Sequence, residues 1–263
     1  VSGVIVSDIE GFALEIAKRP VSLFFDYDGT LTPIAAHPEK AFLSYKTKTI
    51  LKALSGIYQV AIVSGRGLAD LKERVGIDGI TYVANHGWEI SAPDYTLIVD
   101  QGAACRAAFE ELRPRIDSLC ARFGGALFEQ KGATFSVHYR MLDARFVAAF
   151  CKEFEDTVGP FIGAVSVFSG KMVYEVRPSF AWNKGSAVEW LLSKDEFCGT
   201  YPVYIGDDTT DKDAFAVVNG RGVSIYVGVP DDSSDYVFSL QSDVDVFLAK
   251  LKDLCRGKRQ NHG

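Results

Sequence analysis

Two aspartates separated by a single residue, Asp26 and Asp28, stand where the apolar run Leu23-Phe24-Phe25 meets the turn residues Gly29 and Thr30. Strand side chains alternate faces with a period of two, so both carboxylates are expected on one side. Acids so placed can divide labour: one acts as nucleophile or metal ligand, the other gives and takes a proton. Ala61-Ile62-Val63-Ser64-Gly65-Arg66 repeats the same grammar, an apolar strand followed by a small polar residue and glycine, with a cation attached. Tyr204-Ile205-Gly206 repeats it again and runs into Asp207, Asp208, Asp211 and Asp213. Ligands of open parallel sheets gather at the carboxyl ends of the strands. Three polar clusters at strand ends therefore predict one shared site.

The elements that must position these residues follow from periodicity. Helix-like spacing covers 6–18, and short apolar strands are expected at 21–26, 58–63 and 80–84 with helices at 44–56 and 67–75 between them. A hairpin is expected over 88–99. This alternation argues for an α/β fold with a parallel sheet covered on both faces. The texture then changes to a long helix at 102–123, strands at 126–131 and 133–139, a helix at 143–157, and strands at 163–168 and 171–177. This αββαββ block reads as a second, inserted domain with helices on one face of a small sheet. Beyond Pro178 the first pattern resumes: helices at 184–193 and 211–218, strands at 202–206, 222–227 and 236–238, and a last helix at 243–255 with a frayed tail from Gly257. The expected division is a core of 1–102 with 178–263 and an insertion of 103–177. The crossings near 100–104 and 177–181, marked by Gly102 and Pro178, are the expected hinges.

The chain has 263 residues, 48% of them hydrophobic and 24% charged, which is the balance of an ordinary globular protein large enough for a substantial core. A net charge of −6 lacks the basic face of a nucleic-acid binder, so no nucleic-acid partner is expected. It also means that an anionic substrate would need local cations or a metal ion. The five cysteines, Cys105, Cys120, Cys151, Cys198 and Cys255, show no C-x-x-C spacing and are expected as reduced thiols of a cytoplasmic protein. No apolar run reaches the length of a membrane span, and residues 1–20 lack the continuous apolar centre of a signal peptide. A monomer without membrane partners is expected. The chain opens on Val rather than Met, so native sequence can precede it.

Asp26-Tyr-Asp28-Gly-Thr-Leu, Ser64-Gly-Arg66, Lys184-Gly and Gly206-Asp207-Asp208-Thr-Thr-Asp211 resemble, in order, the four motifs of the haloacid dehalogenase superfamily of phosphotransferases. The longer strings Asp-Tyr-Asp-Gly-Thr-Leu-Thr-Pro-Ile, Asn-His-Gly-Trp-Glu, Ser-Val-His-Tyr-Arg and Gly-Asp-Asp-Thr-Thr-Asp-Lys-Asp-Ala-Phe resemble its trehalose-6-phosphate phosphatase branch, over residues 20 to 250 or so. The resemblance implies a Rossmann-like core with an α/β cap of the αββαββ type inserted between the second and third motifs. It implies hydrolysis of trehalose 6-phosphate to trehalose and inorganic phosphate. In that scheme Asp26 forms an aspartyl phosphate, and Asp28 protonates the leaving sugar oxygen and then activates water. Ser64 and Lys184 would hold the phosphoryl oxygens. Mg²⁺, which takes carboxylates, waters and phosphate oxygens, would be bound by Asp26, Asp207 and the main-chain carbonyl of Asp28, with Asp211 or Asp208 completing the water network. Asp213 reads instead as a first-turn acid complementing a helix dipole.

A phosphorylated disaccharide also needs hydroxyl recognition, and the resemblance carries this to Glu129, Lys131 and Glu175, with Arg140 and Arg177 beside them. Glu129-Gln-Lys131, His138-Tyr-Arg140 and Glu175-Val-Arg177 each place two charges on one strand face. Such a face can bond several sugar hydroxyls and reject ligands lacking them, or it can be a solvated surface of cross-strand ion pairs. Arg66 either contacts phosphate or pairs with an acid. His86 lines the pocket or serves a structural role. Two other readings of the whole chain stay open: a sister phosphatase acting on sucrose 6-phosphate or a mannosyl phosphoglycerate, and a catalytically silent phosphosugar-binding module.

Overall fold

The computed structural model describes residues 3–34, 40–179, 182–230 and 232–260. The side chain of Cys255, residues 261–263 of the tail and residues 180 and 181 of the second crossing lie outside the described residues. The chain falls into two compact units, Val1–Ile98 with Trp182–Gly263, and Val99–Ala181.

The first unit is built on β1 (Val4–Ile5), α1 (Ile9–Ile16), β2 (Val21–Asp26), α2 (Tyr45–Leu54), β3 (Gln59–Val63), α3 (Leu68–Val75), β4 (Thr81–Ala84), β5 (Glu89–Ser91) and β6 (Thr96–Ile98). After the insertion, which holds α4, α5 and β7 to β10, the unit continues with α6 (Lys184–Leu192), β11 (Tyr201–Gly206), α7 (Lys212–Val218), β12 (Val223–Val227), β13 (Tyr236–Phe238) and α8 (Gln241–Gln260). Its sheet has the order β1-β13-β12-β11-β2-β3-β4-β5-β6. All neighbours are parallel except the β4–β5 and β5–β6 pairs, which form the expected hairpin edge. Every residue of β2 is buried, as a strand covered on both faces must be. Leu23 and Phe25 pack with Ile16, Ile50, Leu71 and Leu248 on one face, while Phe24 packs with Val188, Leu191 and Phe215 on the other.

Three details differ from the periodicity. The helix expected from residue 6 begins at Ile9, because Asp8 caps it by accepting the Gly11 amide at 2.9 Å, and a two-residue edge strand precedes it. The last helix extends from Gln241 to Gln260 and passes through Gly257, which costs a helix interior only about 1 kcal/mol. Finally, β2 ends at Asp26, so strand alternation orients Asp26 alone and the turn orients Asp28.

The second unit comprises α4 (Ala103–Arg122), β7 (Leu127–Lys131), β8 (Thr134–His138), α5 (Ala144–Val158), β9 (Val165–Gly170) and β10 (Val173–Pro178). Its antiparallel sheet has the order β7-β8-β10-β9. One face carries Phe135, Val137, Tyr174 and Val176 and packs on Phe109, Leu112 and Ile116 of α4 and Phe150 and Phe154 of α5. Alternation sends Glu129, Lys131, Ser136, Glu175 and Arg177 to the other face, where Ser136 lies opposite Glu129 on one side and Glu175 on the other. Phe154 stacks on Tyr174 with ring centroids 4.2 Å apart. Truncating such a ring removes its burial and leaves a cavity, a loss of about 3–5 kcal/mol. Phe154→Ala is therefore expected to speed amide exchange in β7 to β10 while protection of β2 and β3 stays unchanged, as read by native-state exchange mass spectrometry.

Candidate active site

The carboxyl ends of β2, β3, β4 and β11 meet the first turn of α6, and this is where the sequence-derived residues of the first unit come together. Asp26 ends β2 on the face shared with Phe24. Asn183 caps α6: its Oδ1 accepts the Ser186 amide at 2.9 Å and its own amide donates back to Ser186 Oγ at 3.4 Å. That fixed first turn aims Lys184 at β2. Its Nζ donates to Asp26 Oδ1 at 2.5 Å and to Asp211 Oδ1 at 2.7 Å. The lysine is only 2% exposed and Asp211 is fully buried.

Asp211 is the hub of the group. Besides Lys184, it accepts the Tyr204 hydroxyl at 2.7 Å and the Asp208 amide at 3.0 Å. Asp207 accepts the Thr30 hydroxyl at 3.0 Å. Gly29 adopts a φ of +90°, and a Cβ there would fall 2.0 Å from Asp207 Oδ2, so only glycine permits this approach of the two loops. Carboxylate oxygens of Asp26, Asp207 and Asp211 lie within 4.8 Å of one another.

One ammonium does not neutralise three clustered carboxylates, and the titration behaviour reflects this. Burial drives the Asp26 carboxyl well above its usual range; Lys184 opposes the shift, and Asp211 and Asp207 add to it. Burial likewise pushes Asp207 up to about 7, against the Thr30 hydrogen bond and with the repulsion of Asp211. Burial alone would weaken the Lys184 ammonium, yet Asp211 and Asp26 hold it firmly protonated. An all-oxygen donor set carrying excess negative charge matches a hard divalent cation.

The second cluster surrounds Ser64, whose Oγ accepts the Arg66 amide at 3.2 Å. Arg66 takes the acid-pairing course: its guanidinium grips Asp28 in a two-point contact at 2.7 and 2.6 Å and donates to Asp70 at 2.8 Å. Asp70 is in turn bonded by Arg74 at 2.6 Å. His86 is structural in its backbone. Asn85 and His86 both have positive φ, 54° and 57°, a conformation non-glycine residues rarely hold. The strain is sustained by amide bonds from Asn85 to the Arg66 carbonyl at 2.7 Å and from His86 to the Ser64 carbonyl at 2.9 Å. The imidazole covers Gly65 so closely that a Cβ there would lie 2.4 Å from the ring. The Trp182 indole donates to the Gly87 carbonyl at 2.8 Å, tying the same loop to the segment that leads into Lys184.

Thr30, Asp70, Trp182 and Tyr204 were not anticipated. Thr30 sits inside the Asp-Gly-Thr string and could have been read from it. Tyr204, in an apolar strand, gives a signal no different from that of a core aromatic. Asp213 lies in the first turn of α7, as expected.

In the second unit, Lys131 Nζ lies 3.7 Å from carboxylate oxygens of both Glu129 and Glu175. Arg177 bonds Glu175 at 2.6 Å, and His138 meets Glu129 at 2.7 Å. Arg140 departs from the period-two argument. Strand β8 ends at His138, so Arg140 lies in the following turn, where it donates to the Lys171 carbonyl at 3.2 Å.

The chain can now be set beside known proteins. It is 35% identical over 256 residues to a protein of Mycobacterium tuberculosis named trehalose-phosphate phosphatase, an alignment covering 90% of this chain and 62% of that relative. The chain thus spans less than two thirds of that relative's length. Its fold matches the C-terminal domain of trehalose-6-phosphate phosphatase from Candida albicans with a TM-score of 0.76 at 24% identity, covering 95% of this chain and 98% of that one. A haloacid dehalogenase-like hydrolase of Bacteroides thetaiotaomicron matches with a TM-score of 0.64 at 15% identity over 88% of this chain and 98% of that one, a likeness of fold alone. The fold is therefore the one these structures share, with residues 99–181 inserted as a second unit. The model of the trehalose-phosphatase family matches residues 24–240, a span that contains the three strand-end motifs and the Lys184 motif at the start of α6, and the chain belongs to that family.

Proposed function

We propose that the protein is a Mg²⁺-dependent phosphomonoester hydrolase that converts trehalose 6-phosphate to trehalose and inorganic phosphate. The observation that carries this reading is the group of buried Asp26, Lys184 and Asp211 with partly buried Asp207, beside the paired Asp28 and Arg66. The substrate follows from the family and from the trehalose-phosphate phosphatase it resembles.

Asp26, Asp207 and the Asp28 carbonyl would hold the magnesium ion, with Asp211 behind them, and the ion would supply charge neutralisation for the transferring phosphoryl group. Asp26 Oδ1 accepts Lys184, and in this reading Oδ2 is the attacking atom. The Asp26 carboxylate displaces the sugar oxygen and becomes the aspartyl phosphate. Asp28 gives that oxygen its proton and then takes one from the water that releases phosphate. Lys184 and Ser64 hold the phosphoryl oxygens. Both Asp28 oxygens are engaged by Arg66, so the guanidinium must release the acid before it can act as a proton donor. The phosphosugar anion offers Arg66 an alternative partner, which couples substrate arrival to freeing the acid. His86, packed on Gly65, keeps the Ser64 loop in shape.

Residues 103–177 act in this reading as the sugar-selecting cap, with Glu129, Lys131, Glu175, Arg177 and Arg140 meeting the disaccharide hydroxyls. The four described cysteines are free, which supports a reducing, cytoplasmic setting, and among the described residues no helix is long and apolar enough to cross a membrane. A monomer remains the expected state.

Phosphate release from trehalose 6-phosphate should exceed that from sucrose 6-phosphate and glucose 6-phosphate and should vanish in EDTA; equal turnover across this panel would overturn the substrate assignment. Asp26→Asn is expected to lower kcat by at least about a thousandfold while calorimetry still detects substrate binding. Lys184→Ala leaves buried carboxylates without their ammonium, and urea unfolding in EDTA should register a loss of about 3–5 kcal/mol. Unchanged stability would show that the lysine is not the counter-charge described here.

A further inference from the structure

We propose that His138 is a positioning residue for sugar recognition, holding the Glu129 carboxylate in the orientation that the disaccharide hydroxyls meet. This rests on the reading of the polar face of the β7-β8-β10-β9 sheet as the sugar-binding surface. Glu129 pairs directly with Ser136, so His138, two residues further along β8, is its diagonal cross-strand neighbour on the same face. The imidazole Nε2 lies 2.7 Å from Glu129 Oε2. Opposite a carboxylate oxygen, which has no hydrogen to give, Nε2 must be the protonated ring nitrogen.

The same Glu129 oxygen lies 3.7 Å from Lys131 Nζ, and Lys131 lies 3.7 Å from Glu175, which Arg177 holds in turn. These charged groups lie beside the pair. The His138 contact is the shortest made to Glu129 within this set and comes from a ring with few rotatable bonds. Lys131, on its four-carbon stem and a full ångström further away, constrains the carboxylate far less.

A glutamate has three side-chain torsions to immobilise before it can bond a sugar hydroxyl in a fixed direction. Anchoring one oxygen removes that ordering cost before the ligand arrives, which appears as affinity. Half-exposed pairs of this kind add little to folding stability, so the sheet does not need His138 to fold. Its apolar face, packed on α4 and α5, supplies that stability.

The test compares His138→Leu, His138→Gln and His138→Asn in the intact chain, with trehalose 6-phosphate and p-nitrophenyl phosphate as substrates. A glutamine amide can place an N–H near the position of Nε2, whereas asparagine reaches only the position of Nδ1. Leucine and asparagine variants are expected to raise KM for trehalose 6-phosphate roughly tenfold with kcat within about twofold, and to leave aryl phosphate turnover unchanged. The glutamine variant should restore KM to within about threefold of the starting protein. In a Glu129→Gln background the leucine substitution should have little further effect, because the pair is already altered. Leucine and glutamine variants with the unaltered KM, or equal losses on both substrates, would overturn the role of His138. A starting protein with no preference for trehalose 6-phosphate over glucose 6-phosphate would instead overturn the sugar-binding reading beneath it.

Discussion

The Lys184 ammonium, set between Asp26 and Asp211, is the interaction on which the site in the first unit depends. It joins the end of β2, the start of α6 and the turn after β11, segments far apart in the chain, through two hydrogen bonds in a place from which water is excluded. A buried charge is tolerated only when paired and bonded, so this lysine obliges the three elements to arrive together. The remaining excess of negative charge at Asp26 and Asp207 is useful for the same reason. Protonation or a metal cation relieves it, and the nucleophile proposed here is the residue that a cation would keep ionised.

Around that centre the loops are fixed by close approaches rather than by bulk packing. Gly29 lets the first loop touch Asp207, Gly65 lets His86 lie on the second, and the left-handed Asn85 and His86 are held by amide bonds to the carbonyls of Arg66 and Ser64. Strained backbone of this kind persists only where surrounding bonds over-determine it. Here the consequence is that the Ser64 hydroxyl and the Arg66 guanidinium are presented from a rigid loop, and only the long Arg66 side chain retains freedom to exchange partners. Asp70, itself bonded by Arg74, limits that freedom by holding one side of the guanidinium.

Much of this was legible in the sequence. Apolar runs ending in Asp26, Ser64 and Gly206 marked the strands and the end of the sheet at which chemistry collects, because hydrophobic periodicity and turn residues are local signals. The change from buried runs to alternating strands marked the inserted unit for the same reason. What was hidden is set by tertiary contact. Tyr204 reads as one more core aromatic until its hydroxyl is seen on Asp211. Arg66 could be weighed as a phosphate ligand or an ion-pair partner, but only the fold brings Asp28 and Asp70 within its reach. Arg140 shows the limit of period-two reasoning, since alternation holds only while the strand lasts and β8 stops two residues earlier.

The two units use charge in different ways, and the difference follows from burial. Pairs at Lys184 are dry and fixed, so breaking one leaves an uncompensated charge in a low dielectric and the arrangement has no inexpensive alternative. The pairs that Lys131 and Arg177 make with Glu129 and Glu175 are partly exposed, and water competes for them. Exchanging such a pair for a sugar hydroxyl costs little, while the correct hydroxyl pattern is still required to satisfy every group that lost its partner. On the proposed reading, buried pairs at Lys184 that keep their partners suit the invariant chemistry of phosphoryl transfer, while Arg66 alone changes partner. A partly exposed sheet face whose lysine and arginine pairs can be exchanged, with Glu129 kept in place by His138, suits the recognition of one sugar among many.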